Sequence, residues 1–200
     1  MTPRLVVATA NPGKAVEYWA LLADLPYAIE SLADHAGIIL PPEGTTSYVE
    51  NARAKAWAAA RATGAVALGD DSGLEVDALG GRPGLASARY GGPGLDDAGR
   101  VERLLAEMTG AASRAARFRC VLALAAPWGA EAVVEGLVEG VLTEAPRGAA
   151  GHGYDPIFLL PGIGRTFAEL APAEKDRSSH RGRAVAHARP ILLDWRARAG

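Results

Sequence analysis

The chain has little cysteine, no long apolar run and no excess of positive charge, and each scarcity excludes a class of protein. Because Cys120 is the single cysteine among 200 residues, no disulfide can form within the chain, which favours a reducing compartment. No apolar run approaches the ~18 residues of a membrane-spanning helix, and the N-terminus turns polar too soon for a signal peptide. The formal net charge of −2 argues against bulk nucleic-acid binding. We therefore expect a cytoplasmic protein that binds neither membranes nor nucleic acid.

Lysine is scarce too, which draws attention to each one present. Only three of the 21 basic residues are lysines, namely Lys14, Lys55 and Lys175. A compact ammonium group is a suitable point charge for phosphate. Lys14 and Lys175 lie in segments that have other features of binding sites. Because the chain as a whole has no basic excess, an anionic ligand would have to be bound by such a local site.

The length and the 49% apolar content allow one domain over residues 1–200, with two lobes as an option. Apolar runs predict strands over 5–9, 65–69, 74–79, 118–126, 132–141 and 157–160. Helical spacing and capping residues predict helices over 11–23, 47–63 and 96–109, with another from 181 that Pro190 should kink or split. Strands and helices alternate early and strands adjoin later, which indicates an α/β protein with a mixed sheet. On the first helix, Val16, Trp19, Ala20 and Ala23 are expected to pack inward.

The motif Asp70-Asp71-Ser72-Gly73 follows the apolar run over 65–69. Two adjacent carboxylates repel unless a cation or a proton is shared between them, and Mg²⁺ prefers such oxygen ligands. An acidic β-turn is the other interpretation, since Asp and Gly also serve turn chemistry.

The segment Thr9-Ala10-Asn11-Pro12-Gly13-Lys14 joins a predicted strand to a predicted helix. Helix N-termini present free N–H groups that bind phosphate, and Lys14 adds charge. An ordinary helix cap by Asn11 beside a surface lysine is the alternative. The segment lacks the first glycine and the hydroxyl residue of a Walker A loop, which disfavours a P-loop ATPase.

Three further segments carry candidate side chains. Glu50 is the third residue after Ser47, a spacing that by itself favours a capping box. The run over 151–156 places ring side chains between glycines, which suits either stacking on a flat ligand or a turn with a buried tyrosine. The polar run over 174–182 is either a solvated capping segment or a source of hydrogen bonds to a ligand.

Together and in this order, these segments resemble the inosine/xanthosine triphosphatase, or Ham1-like, family. The match runs from Leu5 to Arg183. The motifs that carry it are Thr9–Lys14, Tyr48-Val49-Glu50-Asn51-Ala52, Asp70–Val76, Gly80-Gly81-Arg82-Pro83-Gly84, Ser87-Ala88-Arg89-Tyr90, Gly153-Tyr154-Asp155-Pro156 and Ser179-His180-Arg181-Gly182. The chain departs from the family in three places, with Ala10 where glycine is frequent, His152 where phenylalanine is common, and a C-terminal helix that carries Pro190 and extra residues.

The resemblance implies an enzyme that hydrolyses ITP, dITP and XTP to the monophosphate and pyrophosphate. It also implies a Mg²⁺ requirement, a homodimer, and an elongated mixed sheet flanked by helices, with a nucleotide cleft between two lobes. The implied site residues fall into groups: Thr9, Ala10, Asn11, Pro12, Gly13 and Lys14 for the triphosphate; Asp71 as metal ligand and proton acceptor; Asp70 and Glu50 as metal-side carboxylates; Ser72 as a substrate contact; and His152, Gly153, Tyr154, Asp155, Lys175, His180 and Arg181 around the nucleoside.

The chemistry expected of these residues is attack of water on the α-phosphorus, with pyrophosphate leaving. Asp71 would orient or deprotonate the water, and Lys14 would stabilise charge on the leaving group. Two rivals stay open. One is a Maf-like pyrophosphatase for modified or pyrimidine nucleotides, and the other is a non-catalytic nucleotide-binding regulator, which would gain little from carboxylates near phosphates.

Overall fold

The structure is a computed structural model and describes residues 2–198. Met1, Ala199 and Gly200, which the single-domain prediction over 1–200 includes, lie outside the described residues. The strands in chain order are β1 (Arg4–Ala8), β2 (Ala28–Ser31), β3 (Val66–Val76), β4 (Ala115–Ala125), β5 (Glu131–Leu142), β6 (Phe158–Leu160) and β7 (Arg165–Thr166). The α-helices are α1 (Pro12–Leu22), α2 (Tyr48–Thr63), α3 (Asp97–Glu107), α4 (Pro172–Ser178) and α5 (His180–Arg198).

The strands form one mixed sheet in the order β2-β1-β3-β4-β5-β6-β7. Strand β1 runs parallel to β2 and β3, whereas β6 is antiparallel to β5 and β7. The predicted α/β fold with a mixed sheet is therefore confirmed. No helix within residues 2–198 combines the length and apolarity that a bilayer crossing requires.

The chain divides into two compact units. Of the described residues, the first unit contains those up to Asp71, Cys120–Gly136 and those from Arg181 onward, and the second contains Ser72–Arg119 and Leu137–His180. The prediction of a single domain with two lobes and a cleft between them stays a prediction.

The first unit has an apolar core on each face of its strands, because successive side chains of a strand point to opposite faces. One core joins Leu5 and Val7 to residues of α1 and α5. The other joins Val6 and Ala8 to the alanine face of α2. Cys120 lies in the first of these cores and is fully buried.

Helix α2 lies unusually close to β3, and Gly69 permits the approach. A Cβ atom at Gly69 would stand 2.2 Å from the carbonyl oxygen of Ala52 and 2.6 Å from the nitrogen of Ala56. Because both atoms belong to the backbone, a larger residue here would push the helix away from the strand.

The second unit packs around its own core of buried aromatic and aliphatic side chains. Phe118, Phe158 and Phe167 form tilted and stacked pairs with ring centroids 4.7 to 5.8 Å apart. Val101 and Leu104 of α3 pack into the same core.

Three predictions about these elements were wrong. Helix α1 buries Tyr18 and Leu22 and leaves Val16 71% and Trp19 48% exposed. The predicted inward residues and the pair Tyr18 and Leu22 both have helical spacing. Only packing in the folded chain decides which of the two faces is buried. Helix α5 continues through Pro190 without a break, so the predicted split there is wrong, and the alternative of a kink stays a prediction.

The third wrong prediction concerns the acidic motif. Strand β3 does not end at residue 69 but continues through Asp70 and Asp71 to Val76. The β-turn interpretation is therefore excluded. In an extended strand the carboxylates of Asp70 and Asp71 point to opposite faces of the sheet. This separation reduces the repulsion expected between two adjacent carboxylates.

Candidate active site

Asp70 is buried under three positively charged or hydrogen-donating groups of the first unit. It is 1% exposed. The Nζ of Lys14 donates to its Oδ1, the Oη of Tyr18 donates to its Oδ2 at 2.9 Å, and the Nε of Arg181 lies 3.8 Å from Oδ2. Burial by itself would raise the pKa of Asp70, but Lys14, Arg181 and Lys55 outweigh it and hold the pKa well below its ordinary value. Asp70 is thus an ionised anchor for cations.

Asp71 points to the α2 side, where its surroundings differ. The Nδ2 of Asn51 donates to its Oδ2 at 2.8 Å, and the Nζ of Lys55 lies 3.9 Å from its Oδ1. Burial raises the pKa of Asp71, and the nearby carboxylate of Glu43 raises it further, while Asn51 and Lys55 act in the opposite direction. A carboxylate with a raised pKa is a stronger base, which suits a proton acceptor.

Asn51 also fixes the loop that carries Glu43. Its Oδ1 accepts from the nitrogen of Gly44 at 2.8 Å, and its Nδ2 donates to the carbonyl of Gly44 at 3.1 Å. The Nζ of Lys55 donates to Oε1 of Glu43 at 2.7 Å. Two carboxylates, Glu43 and Asp71, therefore approach one lysine.

The predicted phosphate turn has the expected cap geometry. Asn11 is the N-cap of α1 and Pro12 its first residue, and the side chain of Asn11 accepts from the nitrogen of Lys14 at 3.1 Å. Thr9 accepts from the nitrogen of Asn11 at 3.2 Å. Ala10, Asn11 and Pro12 are exposed, so the N-terminus of α1 is accessible to an anion.

Only the Ser47 half of the predicted capping box forms, because the Glu50 carboxylate turns to Thr46 instead. The Oγ of Ser47 accepts from the nitrogen of Glu50 at 3.2 Å and caps α2. The Glu50 carboxylate is exposed and accepts from the hydroxyl of Thr46 at 3.4 Å. Its implied place beside a metal stays a prediction.

In the second unit, Asp155 organises the glycine-rich loop. Its Oδ2 accepts from the nitrogen of His152 at 2.8 Å and from the Nζ of Lys175 at 2.6 Å. The loop turns so tightly around this carboxylate that a Cβ atom at Gly151, where φ is +78°, would stand 2.1 Å from Oδ2. Asp155 and Lys175 are both buried.

Two more contacts hold this loop. The nitrogen of Gly153 donates to Oδ2 of Asp97 at 2.7 Å, at the first turn of α3. The Oη of Tyr154 donates to the carbonyl of Ser87 at 3.0 Å, and burial raises the pKa of Tyr154. Tyr154 is therefore a buried core tyrosine, as the turn interpretation predicted, whereas His152 is half-buried and lines a cavity of about 270 Å³ next to α3.

Of the remaining predicted residues, His180 and Arg181 lie at the start of α5 and Ser72 lies within β3. His180 begins α5, is buried, and stacks on Phe118 with ring centroids 4.6 Å apart and planes 9° from parallel. Arg181 is buried and pairs with Glu17 and with Asp70 in the first unit. Ser72 is half-buried within β3. The substrate contacts implied for these three residues stay predictions.

Sequence reasoning did not select Asn51, Lys55 or Glu43 as site residues. The scarcity of lysine was the available signal, because all three lysines turn out to contact a carboxylate: Asp70 for Lys14, Glu43 and Asp71 for Lys55, and Asp155 for Lys175. Asn51 lies inside a motif segment, but only the fold brings it against Asp71.

Comparison with known proteins identifies relatives over nearly the whole chain. The model of the Ham1 family matches residues 5–191. A protein of Gloeobacter violaceus named dITP/XTP pyrophosphatase is 50% identical over 181 residues, which cover 90% of each chain. A protein of the same name from Thermus thermophilus is 50% identical over 184 residues, covering 91% of this chain and 88% of that one. The solved structure of a HAM1 protein from Coxiella burnetii superposes with a TM-score of 0.86 at 38% identity, covering 96% of this chain and 99% of that one.

Proposed function

The chain belongs to the Ham1 family, as its motifs indicated, and we propose that it hydrolyses dITP, XTP and ITP to the nucleoside monophosphate and pyrophosphate. The names of its relatives support this activity. The observation in the structure that carries the proposal is the setting of Asp71, a largely buried carboxylate with a raised pKa that is oriented by Asn51 and accompanied by Lys55.

In the proposed reaction, Asp71 accepts a proton from the water that attacks the α-phosphorus. The amide of Asn51 fixes one oxygen of Asp71 and thereby orients the other. Lys55 and Lys14 supply positive charge, which stabilises the extra negative charge of the transition state and of the leaving pyrophosphate. The N-terminus of α1 offers N–H groups to the same phosphates.

The donor set on the α2 side of β3 fits a hard divalent cation. Glu43 and Asp71 are two carboxylates brought close by one lysine, and Mg²⁺ takes carboxylate oxygens as ligands. We propose that Asp71 and Glu43 hold Mg²⁺, because both carboxylates approach Lys55 on the α2 side of β3, whereas Asp70 points to the opposite face and binds Lys14 and Tyr18. Glu50, which is exposed like Glu43, stays a candidate for a further ligand. When bound, the cation would neutralise phosphate charge and polarise the phosphorus.

Base selectivity is assigned to the second-unit loop over 152–155 together with Lys175, and to His180 and Arg181. Hypoxanthine and xanthine present an O6 acceptor and an N1–H donor, whereas adenine reverses that pattern. Donors placed for O6 would be left unpaired by adenine, and a site that leaves buried donors unpaired discriminates strongly.

The test is pyrophosphate release from ITP, dITP, XTP, GTP, ATP and dTTP, with and without Mg²⁺. We expect Mg²⁺-dependent release from the first three and little from ATP. An Asp71→Asn variant should lose about 10²–10⁴-fold in kcat while it still binds nucleotide, and its normal turnover would refute the role of Asp71.

The same panel separates the rivals. Release mainly from pyrimidine or modified nucleotides would indicate a Maf-like pyrophosphatase. Binding of ITP without any release would indicate a regulator. Orthophosphate in place of pyrophosphate would contradict attack at the α-phosphorus.

We also propose a homodimer in the cytoplasm, acting on free nucleotides without nucleic-acid or membrane partners. The resemblance supports the dimer, and the single buried thiol of Cys120 suits a reducing compartment. Light scattering after size exclusion would measure the mass, and a monomeric mass would overturn the dimer.

A further inference from the structure

A buried tyrosine and a buried cysteine share one oxygen of Asp70. The Oη of Tyr18 donates to Oδ2 at 2.9 Å and the Sγ of Cys120 donates to the same atom at 3.3 Å. The two donors are themselves 3.6 Å apart. The opposite oxygen, Oδ1, accepts from Lys14, so the carboxylate is bound from both ends.

Both donors belong to rigid parts of the first unit. Tyr18 projects from α1 and Cys120 from β4, and each is fully buried in the same apolar core. Because their positions are set by packing, they fix the rotation of the Asp70 carboxylate. That rotation in turn sets where Oδ1 lies and hence where the ammonium of Lys14 is found.

The position of Lys14 depends on this anchor, because lysine has a flexible four-carbon chain. A pre-positioned ammonium loses less freedom when it binds an anion, and pre-organisation of this kind raises affinity. The hydroxyl of Tyr18 is not needed to fill the core, since a phenylalanine occupies nearly the same volume. A buried hydroxyl has to be hydrogen-bonded to be tolerated, and the carboxylate of Asp70 supplies its acceptor.

We propose that Tyr18 is a positioning residue for phosphate binding, acting through Asp70 on Lys14, with Cys120 as the second donor to the same oxygen. This inference rests on the proposed function, in which Lys14 binds the phosphates that leave as pyrophosphate. Tyr18 would thus contribute to the affinity for pyrophosphate, the leaving group, and not to recognition of the base.

The first experiment measures binding of inorganic pyrophosphate and of IMP to Tyr18→Phe by titration calorimetry. We expect the Kd of pyrophosphate to rise about 3–10-fold, the scale of one ordinary hydrogen bond, since the lost bond acts on the ligand only through Asp70 and Lys14. The Kd of IMP should change less than about twofold, because IMP lacks the phosphates that Lys14 binds. A merely structural role would weaken both ligands alike.

Tyr27→Phe is the matched control. Tyr27 is buried in the same core, and its Oη donates to the carbonyl of Leu192 at 2.8 Å, so the variant also removes one hydroxyl hydrogen bond but leaves Asp70 untouched. Its pyrophosphate Kd should equal that of the wild type. An equal weakening in Tyr27→Phe would overturn the inference.

A second measurement tests the route through Lys14. In a Lys14→Met background, adding Tyr18→Phe should change kcat/KM for ITP by less than about twofold, because the residue on which Tyr18 acts is gone. Fully additive losses would overturn the proposal. If Tyr18→Phe folds poorly, Cys120→Ala can be used instead, because it removes the other donor to the same oxygen. The Kd of pyrophosphate should then rise by a smaller factor. An unchanged Kd in Cys120→Ala would contradict the proposal.

Failure of the inference differs from failure of the proposed function. Wild-type turnover of ITP together with an unchanged pyrophosphate Kd in Tyr18→Phe would overturn the positioning role alone. Selective loss of pyrophosphate affinity in a protein that hydrolyses no triphosphate would support the positioning role and refute the enzyme.

Discussion

Asp70 and Asp71 should have opposite effects on stability although they are neighbours in the sequence. We compare Asp70→Asn with Asp71→Asn, two substitutions that keep the shape of the side chain and remove its charge. Asp70→Asn leaves the half-buried Lys14 and the buried Arg181 without their shared carboxylate. Removing one partner from a buried charge pair costs about 3–5 kcal/mol. We expect a loss near the lower end, about 3 kcal/mol, because Arg181 retains its pairing with Glu17.

The pKa shifts give the sign for each residue. The folded-state pKa of Asp70 is lowered, so its ionised form contributes stability at neutral pH, which is lost as the pH falls below its ordinary value. The folded-state pKa of Asp71 is raised, so stability is lost as the pH rises from the ordinary value through the raised one. At pH 7, Asp71→Asn should therefore be as stable as the wild type or more stable.

Urea unfolding at pH 7 and thermal melting provide the assay. A loss of about 3 kcal/mol in the free energy of unfolding corresponds to a fall in Tm of about 6–12 °C for a chain of this size. We expect this fall for Asp70→Asn and not for Asp71→Asn. Between pH 7 and pH 4, the advantage of Asp71→Asn over the wild type should shrink. Equal destabilisation by both variants would refute the reasoning that the two faces of β3 differ electrostatically.

Two further predictions concern packing and loop position. Gly69→Ala should lose about 3 kcal/mol in urea unfolding, because the new Cβ atom would stand 2.2 Å from the carbonyl oxygen of Ala52. Asp97→Ala should raise the KM for ITP about 3–10-fold with kcat within twofold, because the nitrogen of Gly153 loses its acceptor and the loop loses its position.

Each of these has a control in the chain. Gly162→Ala should be neutral within about 0.5 kcal/mol, since nothing lies within 4 Å of the added Cβ. Arg103→Ala removes an exposed charged side chain from the same helix as Asp97, outside the lining of the cavity beside His152, and should leave the KM unchanged. A stable Gly69→Ala variant would contradict the close approach of α2, and equal KM values for the two α3 variants would contradict the role of Asp97.

Local signals in the sequence were sufficient for much of the fold. The start of α1 at Pro12 with Asn11 as its cap, the cap of α2 at Ser47 and the place of α3 all depend on residues within one or two turns. The motifs and their order also sufficed to indicate the family, because each motif is a short contiguous segment that can be recognised without the fold.

The sequence by itself thus determined the family and the places of α1, α2 and α3, and it supplied most of the candidate side chains. Only the tertiary structure decided that β3 passes through the acidic motif, that α1 turns Tyr18 inward, and that Asn51 and Lys55 join Asp71. The physical reason is the sequence separation over which the interactions act. Caps and periodicity act between residues a few positions apart, whereas Tyr18 and Lys14 meet Asp70 across 52 and 56 residues, and the opposite pKa shifts of two adjacent carboxylates exist only once packing has surrounded each with different neighbours.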